Sequence, residues 1–434
     1  MILLLPNCGF LSEVSRAVEI ARALRARGET VAFGARGGRY AHLIGEAGFP
    51  VTGLAPVMTP ETETDFVEAI LAMGPRTSRD FYTDGELRAA VDAEVALIRS
   101  LRAELVITGF TLSAYLSTRI AGVPLATDHG GSFVPPVLSH MLCPVAVNPS
   151  DPNLARLPAG VQRWLANRAP ALIRGPVAQL NRHARERGVE TLPSMLGLMC
   201  GDLTLVTDLP EALGISAQDL EQWRPRWPLR VRAGTTFRWT GPLYARLDLP
   251  VPADVDAFLD DGDPVVYIAL TSVTGELLRS VVAAARTSNR RLLVADTTGE
   301  LGDMADDRTL VAGILPSQAI MPRAAASVIM GGQGSVQTAL ASGTPFVGLP
   351  YHGEQELNVA VAERLGTAIR MSPLAASTPA LGEAITGLVS DDTFATAASA
   401  AAEMYALVDG GARAADVIIE WLRARSASSA RSAA

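Results

Sequence analysis

Apolar and polar positions recur along this chain in one rhythm, in which a short apolar run is followed by a longer amphipathic stretch and then by another apolar run. Residues 2–5 form the first run and predict a buried strand, with residues 6–12 as a loop. Residues 13–27 predict a helix that Gly28 closes. Val14, Ala17, Val18, Ala21 and Leu24 share one face at helical spacing, and Arg16, Glu19 and Arg25 lie off it. Residues 30–33 read as the next strand, which completes a Rossmann-like β–α–β unit. Further strands are predicted at 104–108, 125–128 and 203–207, with a helix at 112–121 and a break at Gly130-Gly131. Between 135 and 199 the periodicity is weak and Pro, Gly, Arg and Trp are scattered. Such a stretch suggests helical insertions that shape a pocket.

Pro and Asp then cluster from Gly241-Pro242 to Asp260-Asp261-Gly262-Asp263-Pro264, which predicts a linker over 241–264. The rhythm restarts with strands at 265–270, 291–295, 309–312, 328–330 and 346–349. The expectation is an α/β protein of two Rossmann-like domains, 1–240 and 265–411, with a last helix at 412–426.

The most informative stretch is the turn after the strand at 328–330. Gly331, Gly332 and Gly334 let the backbone turn tightly and approach a ligand. A helix is expected from 335 to 342, closed by Gly343. Its first amides have no partner inside the helix and carry the positive end of the dipole, so the turn suits an anion such as a phosphate. A sterically required turn is the plainer explanation of any single glycine here. A second polar cluster, Glu354-Gln355 and Asn358, follows the next strand at the edge where open parallel sheets place ligands.

Composition narrows the chemistry. The chain has 434 residues, 48% of them hydrophobic, enough for two packed cores. A net charge of −8 without a basic patch argues against nucleic acid as partner. All 37 basic residues are arginine, as codon bias in a GC-rich genome would produce. A Walker A loop, a protein-kinase strand lysine and a pyridoxal Schiff base all need lysine, so those classes drop out. The first loop holds only Gly9, short of the three glycines of a dinucleotide fingerprint, which argues against an NAD-dependent oxidoreductase. Cys8, Cys143 and Cys200 are far apart, which suits a reducing cytoplasm and no zinc site. Residues 1–6 are apolar but too short for a membrane span.

Gly331-Gly332-x-Gly334-Ser335, the small-residue helix after it, Gly343-x-Pro345, Pro350, Glu354-Gln355 and Asn358 together resemble the donor-binding signature of GT-B nucleotide-sugar-dependent glycosyltransferases (family 1, the antibiotic, natural-product and UDP-glycosyltransferase type). The resemblance implies two domains facing across a cleft, the acceptor held by the N-terminal one and the donor by the C-terminal one, with the last helix packed back on the first. It implies inverting transfer of a sugar from a UDP- or dTDP-type donor to a small acceptor, in a cytoplasmic monomer or homodimer without cofactor or metal. By the same resemblance Met330, Gly331, Gly332, Gln333, Gly334 and Ser335 form the diphosphate cradle and Ser272 adds a phosphate contact. Ile314 meets the nucleotide base, and Glu354 and Gln355 grip the sugar hydroxyls. One departure is Met330, where the family usually has His.

The base that accepts the acceptor's proton falls on Glu13 by resemblance of the first loop, with His129 as the alternative. Each has a plainer reading. Glu13 would complement a helix dipole behind Ser12 as N-cap, and His129 would be a structural strand end. Ser272 could equally be an ordinary helix cap, Ile314-Leu315-Pro316 a buried turn, and Glu354-Gln355 a solvated loop. Asp261-Gly262-Asp263 formally matches a DxD metal motif but precedes its strand, so a turn is expected. Because Met330 and Glu13 both stand where His is expected, the alternative is an inactive partner or binding protein on the same fold.

Overall fold

The computed structural model describes residues 1–71, 78–149, 153–244, 249–270 and 273–433. The chain divides into two compact units, the first made of Met1–His140, Asn167–Ala245 and Asp409–Ala434, the second of Met141–Ala166 and Arg246–Val408.

The first unit is a seven-stranded parallel sheet. Its strands are β1 (Ile2–Leu4), β2 (Val31–Ala35), β3 (Val51–Gly53), β4 (Leu105–Thr108), β5 (Leu125–His129), β6 (Leu203–Val206) and β7 (Thr236–Trp239), in the order β3-β2-β1-β4-β5-β6-β7. Chain order reverses between β1 and β4, so the carboxyl ends of these two strands flank a ligand crevice of the doubly wound kind. The apolar face read from residues 13–27 is real. Val14, Ala17, Val18, Ala21 and Leu24 of helix Leu11–Ala26 enter one core with Ile2, Leu4 and Phe33. That helix starts earlier than expected, however. Phe10 is its N-cap and no side chain caps it, so Ser12 is inside the first turn rather than its cap.

Helix Gly410–Ala433 packs along helix Leu11–Ala26 and completes this core with Ala414, Ala415, Val417 and Ile418. Arg413 lies 3.5 Å over the Trp239 ring and donates to its carbonyl, and Gly410 is tight against the Pro242 carbonyl, with no room for a Cβ.

The second unit is a six-stranded parallel sheet of β8 (Val265–Ala269), β9 (Arg291–Ala295), β10 (Thr309–Ala312), β11 (Ala326–Ile329), β12 (Phe346–Gly348) and β13 (Ala368–Arg370). The order is β10-β9-β8-β11-β12-β13, again reversing once, between β8 and β11. The central strands β8, β9, β11 and β12 are fully buried, mostly Val, Ile, Leu and Ala, as expected for a sheet covered on both faces, and β10 and β13 at the edges are partly buried.

Two expectations about organisation change. Residues 141–166 belong to the second unit, although they precede the boundary expected near 240. The cause is polar: the Val147 and Asn148 amides donate to Glu356 Oε1 at 2.7 and 3.3 Å, and Arg370 donates to both Val145 O (2.9 Å) and Glu356 Oε2 (2.7 Å). The expected linker also contains a helix, Ala253–Asp260. Asp261-Gly262-Asp263 is the turn that ends this helix, with Gly262 at φ 86° and Asp261 paired to Arg291. Among the described residues no helix is long and apolar enough to cross a membrane.

Candidate active site

In the first unit the residues after β1, β4 and β5 converge on the first turn of helix Leu11–Ala26. Glu13 is 6% exposed. The Phe110 amide donates to its Oε2 at 2.8 Å, Arg16 Nη2 donates to Oε1 at 3.2 Å, and the Asn7 backbone adds a further hydrogen bond. Gly109 is required beside it, because a Cβ there would collide with the Glu13 carboxyl. Arg16 also pairs through Nε with buried Asp128, so two carboxylates share one guanidinium. Burial, and then the charge of Asp128, raise the Glu13 pKa to about 7 against the opposing pull of Arg16 and the two amides. Burial raises Asp128 as well. An ionised carboxylate has about four acceptor positions, so Glu13 keeps one beyond the three donors that hold it.

His129 closes β5 next to Asp128, packed edge-on against the Phe110 ring with centroids 6.3 Å apart. Burial and the Arg16 charge lower its pKa to about 3, despite a bond with the Gly109 backbone. It is neutral near pH 7 and a poor proton acceptor. Of the two candidates, Glu13 therefore has the proton affinity suited to a base at neutral pH. Arg16, Asp128 and Phe110, which fix it, are absent from the expected set.

In the second unit β11 ends at Ile329 and helix Gln333–Ser342 begins two residues before the expected start, with Gly332 as N-cap and Gly343 in the left-handed C-cap. The three turn glycines are not equivalent. Gly331 has φ 92°, and a Cβ on it would strike Val359. Gly332 and Gly334 face open space, with nothing within 4 Å of where a Cβ would be. Steric need explains the first glycine; no neighbour requires the other two, which leave the backbone of the turn open to close approach. Met330 is partly buried against the core of this unit.

Glu354 and Gln355 open helix Gly353–Arg364. Glu354 Oε1 accepts from the Gln333 amide at 3.2 Å and from Asn358 Nδ2 at 2.9 Å, and Asn358 Nδ2 also donates to Gly331 O at 3.1 Å. Gln355 Oε1 accepts from the Tyr351 amide at 2.8 Å. Glu354, Gln355 and Asn358 are thus tied to the glycine turn and the strand end rather than lying in a solvated loop. Ile314 follows β10 and is 67% exposed, so it is not the buried turn that its apolar neighbours suggested. Ser272 lies outside the described residues. Among the described residues no group of three or more His, Cys, Asp or Glu side chains gathers as metal ligands would.

Comparison with known proteins places these features in a context. The family described as UDP-glucoronosyl and UDP-glucosyl transferase matches residues 215–404. A PGL/p-HBAD biosynthesis glycosyltransferase of Mycobacterium tuberculosis is 26% identical over 408 residues, covering 93% of this chain and 88% of the relative. An O-mycaminosyltylonolide 6-deoxyallosyltransferase of Streptomyces fradiae is 32% identical over 209 residues, 46% of this chain and 48% of the relative. Among solved structures, the glycosyltransferase VinC in complex with dTDP superposes with a TM-score of 0.64 at 15% identity, over 98% of this chain and 99% of that one. The glycotransferase of kitacinnamycin does so with a TM-score of 0.66 at 19% identity, over 96% and 98%.

Proposed function

We infer the reaction of this chain from its membership of the family 1 glycosyltransferases with the GT-B fold: it moves a sugar from a UDP- or dTDP-type nucleotide sugar to a small natural-product acceptor, inverting the anomeric carbon. The observation that carries this reading is the turn from Gly331 to Gly334. It opens a helix at the carboxyl end of β11, at the reversal of strand order, with open space over two of its glycines. The first-turn amides of that helix and the Ser335 hydroxyl hold the diphosphate, and Met330 borders it. Ile314 offers an exposed apolar edge to the nucleotide base. Glu354 and Gln355 take the sugar hydroxyls.

The acceptor oxygen attacks the anomeric carbon as the bond to the diphosphate breaks, and the electron pair leaves with the phosphate oxygen. The acceptor's proton passes to the Glu13 carboxylate. Backbone amides and the helix dipole meet the charge that develops on the leaving group, so the reaction needs no metal. Activity that is unchanged in excess chelator is the expected result. Carriage of dTDP by VinC and of a deoxysugar by the Streptomyces relative support the donor class.

The direct test is the melting temperature of the protein with UDP, dTDP, GDP and NADH. A ligand at about a hundred times its Kd adds roughly 2.7 kcal/mol to stability. One nucleotide diphosphate is expected to raise the melting temperature and NADH is not. No shift with any nucleotide diphosphate would overturn the donor site.

A further inference from the structure

Beside Glu13, the carboxyl ends of β1 and β2 enclose a cavity of about 20 Å³ that the proposed transfer step leaves unused. Asn7, Cys8, Arg36, Tyr82, Glu94 and Thr111 are among the residues that line it. Glu94 comes from helix Asp84–Ser100 and is completely buried. Its Oε1 accepts from the Ser113 hydroxyl, and its Oε2 has no hydrogen-bond partner among the described residues. Burial raises its pKa to about 7, opposed first by the Ser113 and Ser117 hydroxyls and then by the Arg36 charge. Arg36 donates through Nε to Pro56 O at 2.7 Å and lies 5.5 Å from the Tyr82 ring centre.

A buried carboxyl oxygen without a partner is costly to a protein, more so if charged, and is rarely kept without use. The cavity holds one water-sized group and no more. A hydroxyl fits its chemistry, since it can donate to Glu94 and accept from Arg36. A carbonyl or ether could only accept, and an ammonium would face the guanidinium. The cavity opens at the carboxyl ends of β1 and β2, on the edge of the sheet where ligands bind, and Thr111 of the loop after β4 extends its lining toward the reversal of strand order. Asn7 lines the cavity and its backbone bonds to Glu13, so one loop borders both carboxylates.

We propose that this slot anchors a second hydroxyl of the acceptor through Glu94 and Arg36, so that the acceptor is a polyhydroxylated molecule whose other hydroxyl is presented to Glu13. This rests on the reading of Glu13 as the base in the first unit. It makes Glu94 and Arg36 determinants of acceptor specificity, while the proton is taken by Glu13 alone.

The test is calorimetric binding of a set of dihydroxynaphthalenes and the matching naphthols to the wild-type protein and to Glu94→Ala, with melting curves to show that the variant is folded. At least one diol is expected to bind the wild type at least tenfold more tightly than its naphthol, and Glu94→Ala to bring that ratio to about one. Glu94→Gln, which keeps a hydrogen-bonding group, is expected to restore part of the preference. Should Glu94→Ala not fold, Arg36→Met reads the same ratio. Equal ratios in wild type and variants, or no binding of any diol, would overturn the proposal. Because binding is read without a donor, failure of every nucleotide sugar to turn over would count against the proposed reaction and leave this result separate.

Discussion

Glu13 and Glu94 are two buried carboxyls, both with a pKa of about 7, to which we assign different roles. Only the ionised form of Glu13 can take a proton. The kcat/KM of the wild type is therefore expected to fall as the pH drops through about 7. Glu13→Gln should cut turnover roughly a hundredfold or more while UDP or dTDP still raises the melting temperature. Unchanged turnover would transfer the role to His129. Glu94 can be read through stability. Its carboxyl ionises near 4.5 in the unfolded chain and near 7 in the fold, so the stability it contributes below pH 4.5 is lost between those values. Glu94→Gln lacks this loss, and its stability relative to wild type should rise by roughly 1.4 kcal/mol per pH unit across that window. A difference that does not change with pH would show that Glu94 does not titrate there. The signal for Glu94 is present in the chain, since Leu87, Ala90, Val91, Val95 and Ile98 surround it on one helical face. A carboxylate inside such a stripe must be buried. Asp128 gives no such signal, because Arg16 is 112 positions away and no local pattern pairs them.

At the scale of elements, the helix that opens at Gly332 already holds a carboxylate at its first amide. Glu354 has the place on the Gln333 amide that a phosphate oxygen would favour. Glu354→Gln is expected to tighten UDP or dTDP binding about two- to fivefold by removing that charge, and to lower turnover by weakening the grip on the sugar. Weaker diphosphate binding would mean that Glu354 serves only to brace the turn. The strands and the glycine turn were legible because Val, Ile and Leu runs between glycines have few alternatives. Helix starts were not: Leu11–Ala26 and Gln333–Ser342 both begin two residues early, where backbone geometry at Phe10 and Gly332 does what a capping side chain was expected to do. β3, β7 and β13 are short and their own residues are partly or largely exposed, so no long apolar run announces them.

Over the whole molecule, the two chain halves do not correspond to the two units. The bonds that assign Met141–Ala166 to the second unit join residues about two hundred positions apart, such as Val147 and Glu356, and nothing local to either announces the other. The return of the last helix to the first unit is held mainly by apolar contact. Ile418→Ala is expected to cost about 2–5 kcal/mol, as for a fully buried aliphatic side chain. Asp416→Ala, which removes the exposed pair with Arg27, should cost less than about 1 kcal/mol. The reverse ranking in denaturant melts would mean that charge, not packing, holds this helix. The same arrangement orders events during synthesis. The segment from Asp409 onward is made after the whole second unit, yet it completes the core built on helix Leu11–Ala26, which is made before that unit. A nascent chain thus carries its first sheet with one helix face uncovered until the segment from Asp409 has been made, and any product that terminates before Asp409 exposes that apolar face to the quality-control machinery of the cell.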